Sequence, residues 1–238
     1  MKIRIPLPGC VAGVRTQEPV VALTFDDGPD PESTPPVLDL LARFGARATF
    51  FMVGSEAARH PDLVARVAGA GHAIGNHTWD HPVLPRLPSP DRRAQIRDCQ
   101  KALAPWGTGL FRPPYLAQSR ASRLEALRMR YKVILANVDS EDWWDPDPDR
   151  IAERIRTEVR PGSIVLLHDA VLGSSGLRFP HEPRLDRGAM LQALERFLDE
   201  TRNRFRFLTV PEILRTGRAI RVRRYSKGPR PDPPLPVG

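Results

Sequence analysis

Short apolar runs rich in β-branched residues alternate along this chain with longer amphipathic segments. Such runs, when they end at Gly, Pro or charged residues, are typical of buried strands, whereas apolar residues three or four apart indicate helices. Strands are predicted at 20–25, 47–54, 73–76, 110–115, 131–138, 163–167 and 206–207. Helices are predicted at 37–44, 61–70, 89–103, 119–129, 149–159, 187–201 and 211–215. Because the two kinds of segment alternate, the sequence predicts an α/β fold with a mostly parallel sheet.

The stretch from Val20 to Pro29 combines a predicted buried strand with the first group of polar residues that could form a site. Its apolar strand ends in two adjacent carboxylates, Asp26 and Asp27, and the following Gly-Pro turns the chain. Neighbouring side chains of a strand point to opposite faces, but a bend at the strand end lets both carboxylates reach one pocket. Adjacent acids repel each other, so the pair needs a cation, a protonated member or solvent. A solvated turn and a cation site both stay open at this point.

Polar clusters follow other predicted strands in the same way. They are His77 with His81, Arg112, Asp139 with Asp142, and His168 with Asp169. The carboxyl ends of parallel strands meet at one edge, where catalytic residues gather in α/β barrels and open sheets. Solvated turns are the alternative, but so many unlike clusters at one edge favour an active site.

The histidine pair suggests a metal site. Two imidazoles four residues apart reach one ion on a helix or in a tight loop, and two His with one carboxylate is a common ligand set for zinc or a similar divalent ion. Such an ion suits hydrolysis, because it lowers the pKa of its water while a second Asp accepts the proton.

Other side chains at this edge suit the remaining tasks of a hydrolase, and each has a structural alternative. Arg112 either holds one of the two acids or stiffens the Pro-Pro turn that follows it. In that turn only Tyr115 has a backbone N–H, which suits an oxyanion donor. His168 is either an acid oriented by Asp142 or a strand-end histidine without a catalytic role.

Five motifs, taken in order, resemble those of the polysaccharide deacetylase family, carbohydrate esterase family 4. They are Thr24-Phe25-Asp26-Asp27-Gly28-Pro29, His77-Thr78-x-x-His81, Arg112-Pro113-Pro114-Tyr115, Asp139-Ser140-x-Asp142-Trp143 and Leu166-x-His168-Asp169. The resemblance implies a distorted, incomplete (β/α) barrel with mostly parallel strands. It also implies a metal-dependent hydrolase that removes N-acetyl groups from N-acetylglucosamine units of an oligosaccharide or polysaccharide, of the chitooligosaccharide or peptidoglycan kind.

The resemblance implies a role for each motif position. The catalytic residues would be Asp26 as general base, Arg112 as its partner, Tyr115 as oxyanion donor through its N–H, His168 as general acid and Asp142 as the residue that tunes it. The metal ligands would be Asp27, His77 and His81. The ion would usually be zinc, with cobalt, nickel or manganese as substitutes. Trp143 and Leu166 would line the pocket for the acetyl methyl group, although ordinary core positions are the alternative for both.

One position departs from the family pattern. Leu116 stands where the family commonly has Gly after Arg-Pro-Pro-Tyr. A side chain at this position is expected to narrow the groove or to shift the loop that carries the oxyanion donor.

Composition adds expectations about boundaries and compartment. The 238 residues are expected to form an N-terminal extension (1–19), one catalytic domain (20–217) and a basic, Pro-rich, disordered tail (218–238). The two cysteines give at most one disulfide, and no stretch approaches the ~20 apolar residues of a membrane-spanning helix. The N-terminus is a poor signal peptide, so a cytoplasmic protein is the default, with a secreted one expected if a leader was trimmed.

Other functions stay open beside the first. One is a glycan-binding protein on the same scaffold with little turnover, and another is a deacetylase of a small N-acetylated metabolite. The basic tail suggests an anionic polymer or nucleic acid, but Tyr225 is its only aromatic residue, so nucleic acid is not expected. The expected partner is a carbohydrate that bears N-acetyl groups.

Overall fold

The predicted alternation of strands and helices is present in the structure, a computed structural model in which residues 9–172 and 186–223 are described. The strands are β1 Cys10–Arg15, β2 Val20–Asp26, β3 Ala48–Met52, β4 Ala73–Asn76, β5 Gly107–Phe111, β6 Lys132–Val133, β7 Val138–Asp139, β8 Ile164–His168, β9 Arg206–Phe207 and β10 Arg218–Val222. The helices are α1 Thr34–Arg43, α2 Gly54–Arg59, α3 Pro61–Gly69, α4 Ser89–Leu103, α5 Arg120–Arg128, α6 Pro148–Glu158, α7 Gly188–Thr201 and α8 Val210–Ile213. All predicted helices are found, and α2 is an addition.

Eight strands form one sheet in the order β6-β5-β4-β3-β2-β8-β7, with β9 beside the start of β2. Their pairings are parallel. Strands that follow one another in the chain are mostly neighbours, and β8 returns to pair with β2, which is the winding of a barrel. Within the described ranges no strand pairing joins β6 to β7, so the barrel is open at that point. The expectation of an incomplete (β/α) barrel is confirmed.

Strand alternation divides the apolar residues between two cores. On β2, Val21, Leu23 and Phe25 belong to a cluster that also contains buried residues of α1, α3, α6 and α7. The intervening Val20 and Ala22 belong to a second cluster inside the barrel. Because burying one large apolar side chain stabilises a fold by roughly 1.5–3 kcal/mol, this two-sided burial fixes β2 at the centre of the sheet. The last residue on its barrel-facing side is Asp26.

The single strand predicted at 131–138 is divided into β6 and β7. Between them, Leu135 N donates to Val11 O (2.7 Å) and Asn137 N donates to Ile164 O (3.1 Å). These backbone groups therefore pair with β1 and with the start of β8. Apolar periodicity does not separate the two outcomes, because the segment is mostly buried in both.

The two ends of the described chain pair with each other. Strands β1 and β10 form an antiparallel ribbon, from Cys10 opposite Val222 to Arg15 opposite Arg218. The prediction of a disordered tail is therefore wrong for residues 218–222, and residues 10–15 of the predicted extension are part of the folded body. A pairing between opposite ends of a chain leaves no local sequence signal. Residues 224–238 lie outside the described residues.

The structure also bears on the predictions about the two cysteines, membrane-spanning helices and the loop 170–186. Cys10 and Cys99 are both buried free thiols. Among the helices of the described ranges, none is long and apolar enough to cross a membrane. Of the predicted loop 170–186, residues 173–185 fall outside the described chain.

His72 gives the fold a dependence on pH. Its buried ring precedes β4, and its Nδ1 accepts a hydrogen bond from Ala48 N (3.1 Å). Burial, reinforced by the charge of Arg47, lowers the pKa of His72 to about 4. The unfolded chain takes up this proton near pH 6.5. The stabilisation is therefore complete only well above pH 6.5, and roughly 3 kcal/mol of it is lost as the pH falls to 4.

We expect urea unfolding at pH 7 and pH 4 to show this loss in the wild-type protein. His72→Asn keeps an acceptor for Ala48 N and takes up no proton, so its loss between the two pH values should be smaller by that amount. The control is His60→Asn, the same substitution at a partly exposed position. An unchanged pH dependence in His72→Asn would place the proton uptake at another group.

Candidate active site

The polar clusters predicted at strand ends meet at one edge of the sheet. Asp26 and His168 are the last residues of β2 and β8 and lie opposite each other in register. His77 directly follows β4, and Arg112 directly follows β5. The expectation that these groups share one edge is therefore confirmed.

The Asp26–Asp27 pair bends as the sequence suggested. Asp26 continues the barrel-facing side of β2, so strand alternation alone would turn Asp27 outward. Asp27 instead adopts a left-handed backbone with φ of 78°. Both carboxylates are buried, with 3% and 4% of their residue surface exposed. One residue with unusual dihedrals thus gives two adjacent acids a common pocket.

Asp27, His77 and His81 form a compact group of metal-ligand type. Asp27 Oδ1 lies 3.4 Å from His77 Nε2 and 3.2 Å from His81 Nε2. Ligand atoms about 2.0–2.1 Å from a tetrahedral ion lie about 3.3 Å from one another, so these spacings fit one small divalent cation. Within the described chain, Asp27 Oδ1 is buried without a hydrogen-bond partner. The three residues therefore fit a metal ion.

The second polar atom of each of the three side chains makes a hydrogen-bond contact within the protein. His77 Nδ1 lies 2.8 Å from Arg112 O, and His81 Nδ1 lies 3.0 Å from the Tyr115 hydroxyl. Asp27 Oδ2 accepts from Leu172 N at 3.1 Å. Contacts of this kind fix ring orientation and leave one atom of each ligand for the ion.

The protonation states of His81 and Asp27 at neutral pH are those that bind a cation. Burial lowers the pKa of His81 to about 4, so its ring is neutral at pH 7. Burial alone would raise the pKa of Asp27, but the neighbouring His81 and His77 hold it below its usual range. A neutral imidazole and an ionised carboxylate are the forms that bind metals.

The histidine loop is held by α2, the helix that the sequence analysis missed. Thr78 and His81 have left-handed backbones, with φ of 73° and 58°. The first N–H groups of α2 bind this loop, since Gly54 N donates to Thr78 O and Ser55 N donates to Trp79 O, both at 2.9 Å. A six-residue helix is too short to be stable alone, which explains why its own sequence carries little signal.

Arg112 lies under Asp26. Its side chain is fully buried, and its Nη1 donates to Asp26 Oδ1 at 2.7 Å and to Thr24 Oγ1 at 2.8 Å. Its Nη2 donates to Leu135 O, and its guanidinium lies 4.2 Å from the centre of the Phe51 ring. The alternative of an arginine that only stiffens the Pro-Pro turn does not account for this ion pair.

His168 and Asp142 form the second acid–base pair. His168 Nδ1 lies 2.9 Å from Asp142 Oδ1, and His168 N donates to Asp142 Oδ2 at 3.0 Å. Burial alone would lower the pKa of His168, but the charge and hydrogen bond of Asp142, helped by Asp27 and Asp26, raise it to about 9. The ring is therefore protonated at neutral pH, as a proton donor requires.

Arg187 completes this pair and was missed by the sequence analysis. Its Nη2 donates to the Asp142 carboxylate and, at 3.1 Å, to Asp142 O, while its Nε donates to His168 O at 3.1 Å. Burial on its own raises the pKa of Asp142, but the charges of His168 and Arg187 hold it below its usual range. Arg187 precedes α7, 19 residues after His168 and 45 after Asp142, so its partners cannot be found from spacing.

The loop that carries Asp142 and Trp143 has its own support. Asp145 is buried and pairs with Arg154 and, at 2.8 Å, with Arg150 of the same helix, α6. Arg154 Nη1 also donates to Ser140 O at 3.0 Å. Helix α6 thus holds the loop after β7 in place through the contacts of its two arginines.

The predicted pocket walls differ in exposure. Trp143 is partly exposed, and its ring packs edge-on against Trp144 with 6.4 Å between centres. Leu166 is buried on β8, two residues before His168 on the same side of the strand, and belongs to the barrel core. Both positions adjoin the acid–base pair in sequence. Their role in binding stays a prediction.

Leu116 does not occupy the groove in the way that was expected. Its side chain is 7% exposed and belongs to the barrel core. Tyr115 and Leu116 both have left-handed backbones, with φ of 57° and 52°. Glycine adopts that conformation without strain, so leucine here exchanges some backbone strain for burial in the core. The expectation of a groove narrowed by this side chain is not supported.

Asp169 is a further buried group without an assigned role in the sequence analysis. Its Oδ2 accepts from Thr34 Oγ1 at 2.5 Å. A Cβ added to Gly28 would lie 2.2 Å from the same oxygen, so the turn after Asp27 needs glycine. Burial, with the charge of Asp27, raises the pKa of Asp169 to about 7. Its position directly after His168 was the available signal.

Comparison with known proteins shows consistent similarities. Residues 13–134 match the family model described as polysaccharide deacetylase. A peptidoglycan-N-acetylglucosamine deacetylase of Bacillus cereus is 37% identical over 207 residues, which cover 85% of this chain and 91% of that protein. A chitooligosaccharide deacetylase of Bradyrhizobium sp. is 38% identical over 174 residues, which cover 68% of this chain and 74% of that protein. Among solved structures, the Bc1960 peptidoglycan N-acetylglucosamine deacetylase in complex with an N-hydroxybenzamide matches with a TM-score of 0.78 and 29% identity, covering 90% of this chain and 96% of that one.

Arg187 should control the proton affinity of His168. The Arg187 charge beside Asp142 repels the protonated ring and offsets the carboxylate that attracts it. We expect Arg187→Met to raise the pKa of His168 further in the metal-free protein, measured by NMR titration of the ring. The control is Arg196→Met, within α7, where the side chain is exposed and paired with Asp149. A fall of the His168 pKa towards 6.5 would instead mean that Arg187 serves only to keep Asp142 in contact with the ring.

Proposed function

The chain belongs to the polysaccharide deacetylase family, and on that premise we propose that it is a metal-dependent hydrolase that removes N-acetyl groups from N-acetylglucosamine units of a glycan. The observation that carries the proposal is the meeting of three groups at one sheet edge. These are the metal-ligand group, the Asp26–Arg112 pair and the His168–Asp142 pair. Amide hydrolysis needs a cation, a base and an acid, and each of these groups suits one of them.

Zinc is the proposed ion, with cobalt, nickel or manganese as substitutes. Asp27, His77 and His81 would hold it, and two nitrogens with one oxygen form a ligand set typical of catalytic zinc. When bound, a divalent ion supplies Lewis acidity, which makes a water more acidic and polarises an amide carbonyl.

The side chains then divide the proton transfers. Asp26, held by Arg112, accepts the proton of the attacking water. The Tyr115 N–H is the proposed donor to the oxygen that becomes negative as the carbonyl carbon turns tetrahedral. The C–N bond breaks when His168, protonated at neutral pH and oriented by Asp142, gives its proton to the leaving nitrogen. The products are acetate and a free amine on the sugar.

The substrate class follows from the similarities and from the site. The relatives are named for peptidoglycan N-acetylglucosamine and for chitooligosaccharides, so a glycan of one of these kinds is the proposed substrate. Trp143, partly exposed beside Asp142, is the proposed contact for the sugar or its acetyl methyl group.

Acetate release should depend on both a metal and a polymeric substrate. We expect the wild-type protein to release acetate from chitotetraose or from peptidoglycan fragments, to stop after strong chelation, and to recover with zinc, cobalt, nickel or manganese. N-acetylglucosamine itself is the comparison for a small-metabolite deacetylase. Tight chitotetraose binding without acetate release in the presence of metal would favour a binding protein, and release that persists in chelator would contradict the proposal.

The Asp26→Asn variant tests the role of Asp26 as general base independently of metal binding. Loss of a general base costs about 10²–10⁴ in rate, so we expect kcat to fall by that factor. Metal content, measured by elemental analysis after dialysis against zinc, should stay near that of the wild type because Asp27, His77 and His81 are unchanged. The control is Asp39→Asn, which makes the same chemical change on the exposed face of α1. Near-normal kcat in Asp26→Asn with bound zinc would exclude Asp26 as the base.

A further inference from the structure

A second cavity lies apart from the proposed active site. Its volume is about 280 Å³, and it is formed where the last turn of α5 meets β6 and the β1–β10 ribbon. We call it the basic pocket and define it by its cations Arg123, Arg130, Lys132 and Arg221 and by two apolar walls, Leu127 and Tyr131. None of its lining residues belongs to the metal-ligand group or to the two acid–base pairs.

Among the described residues, none of those that line the basic pocket is acidic. In the part of the chain that the structure describes, none of its four cations forms a salt bridge, although twenty-two such contacts, none of them to these cations, occur elsewhere. Four uncompensated cations around one cavity attract an anion.

Arg123 is the most informative of the four. It is only 9% exposed, its Nη1 donates to Arg223 O at 3.1 Å, and its guanidinium also contacts the Cys10 thiol. Arg92, which is equally buried, shows how such a charge is usually paired, since it binds both oxygens of Glu125 at 2.6 and 2.9 Å. A buried guanidinium without a carboxylate is costly, so an anion in the pocket would supply what Glu125 supplies to Arg92.

The pocket is built by the backbone. Arg130 has a left-handed conformation, φ 66°, just after α5, and Lys132 begins β6. Arg221 is placed by the β1–β10 pairing, and its Nη1 donates to Gly9 O at 2.9 Å. The cations thus come from α5, β6, β10 and the link between α5 and β6, and strand pairing and helix packing fix the relative positions of these elements.

We propose that the basic pocket binds a phosphorylated sugar, with the phosphoryl group on the arginines and the sugar ring against Leu127 and Tyr131. Guanidinium groups match the geometry of phosphate oxygens, and several cations suit a dianion better than a single carboxylate. Leu127 is 45% exposed at the rim, where an apolar sugar face can cover it. A free sugar phosphate is such a dianion, whereas a phosphodiester of an anionic polymer carries one charge per phosphate and is the competing source that the test distinguishes. This inference goes beyond the proposed deacetylation and does not depend on it.

Calorimetric titration of the full chain in phosphate-free buffer at low ionic strength tests the inference. We expect glucose 6-phosphate to bind with one site per chain and glucose to give no heat. Arg123→Gln and Arg221→Gln should each weaken binding about tenfold or more, because each removes a charged hydrogen bond. The control is Arg128→Gln, the same charge change at an exposed position of α5 outside the lining, which should change the affinity less than twofold.

The outcomes are distinct. Poly(glycerol phosphate) has no sugar ring in its backbone, so tighter binding of this polymer per phosphate than of glucose 6-phosphate overturns the assignment to a phosphorylated sugar, and the reverse order supports it. Arg221→Gln changes an exposed side chain, so the test stands even where Arg123→Gln fails to fold. Absence of binding to both phosphates at millimolar concentration, or an equal loss in Arg128→Gln, overturns the inference.

Discussion

The need to partner buried carboxylates shapes the sheet edge of this protein. Asp26, Asp27 and Asp142 are each less than 5% exposed, and an unpaired charge at such depth is costly. Arg112 offsets Asp26, and Arg187 together with His168 offsets Asp142. Asp27 faces two imidazoles, of which His81 is neutral at pH 7. Its charge is therefore the one best placed to attract a cation, which is why the ligand group lies around it.

The loops that bring these charged side chains together have a strained backbone. Six of the seven described non-glycine residues with left-handed backbones lie in the loops around the site: Asp27, Thr78, His81, Tyr115, Leu116 and Glu141. Each costs roughly 1–2 kcal/mol in an ordinary context. The loops tolerate this cost because neighbouring elements hold them, as α2 holds the histidine loop and α6 the loop after β7. The rigid barrel thus supports loop conformations that the loop sequences alone would not favour.

The sequence predicted those site residues whose positions follow from the secondary structure of their own segment. Residues at strand ends, such as Asp26 and His168, are found by hydrophobic period and by the rule that parallel strands end at one edge. Arg187 and the β1–β10 ribbon were not found, because their partners are distant in the chain and neither has a periodic pattern of its own. The burial of Leu116 was missed for another reason, since the expectation rested on comparison with a glycine, and the left-handed backbone that places leucine in the core leaves no signal in the sequence.

The β1–β10 ribbon is more than a covering of the barrel opening. Val11 of β1 accepts a hydrogen bond from Leu135 N, in the segment between β6 and β7 where the sheet is open. Leu135 O in turn accepts from Arg112 Nη2, and Arg112 Nη1 holds Asp26. A chain of three hydrogen bonds therefore connects the ribbon to the proposed base. The first described strand contributes no catalytic side chain, yet it belongs to the unit that positions one, because without it the carbonyl that orients Arg112 would lose its own anchor.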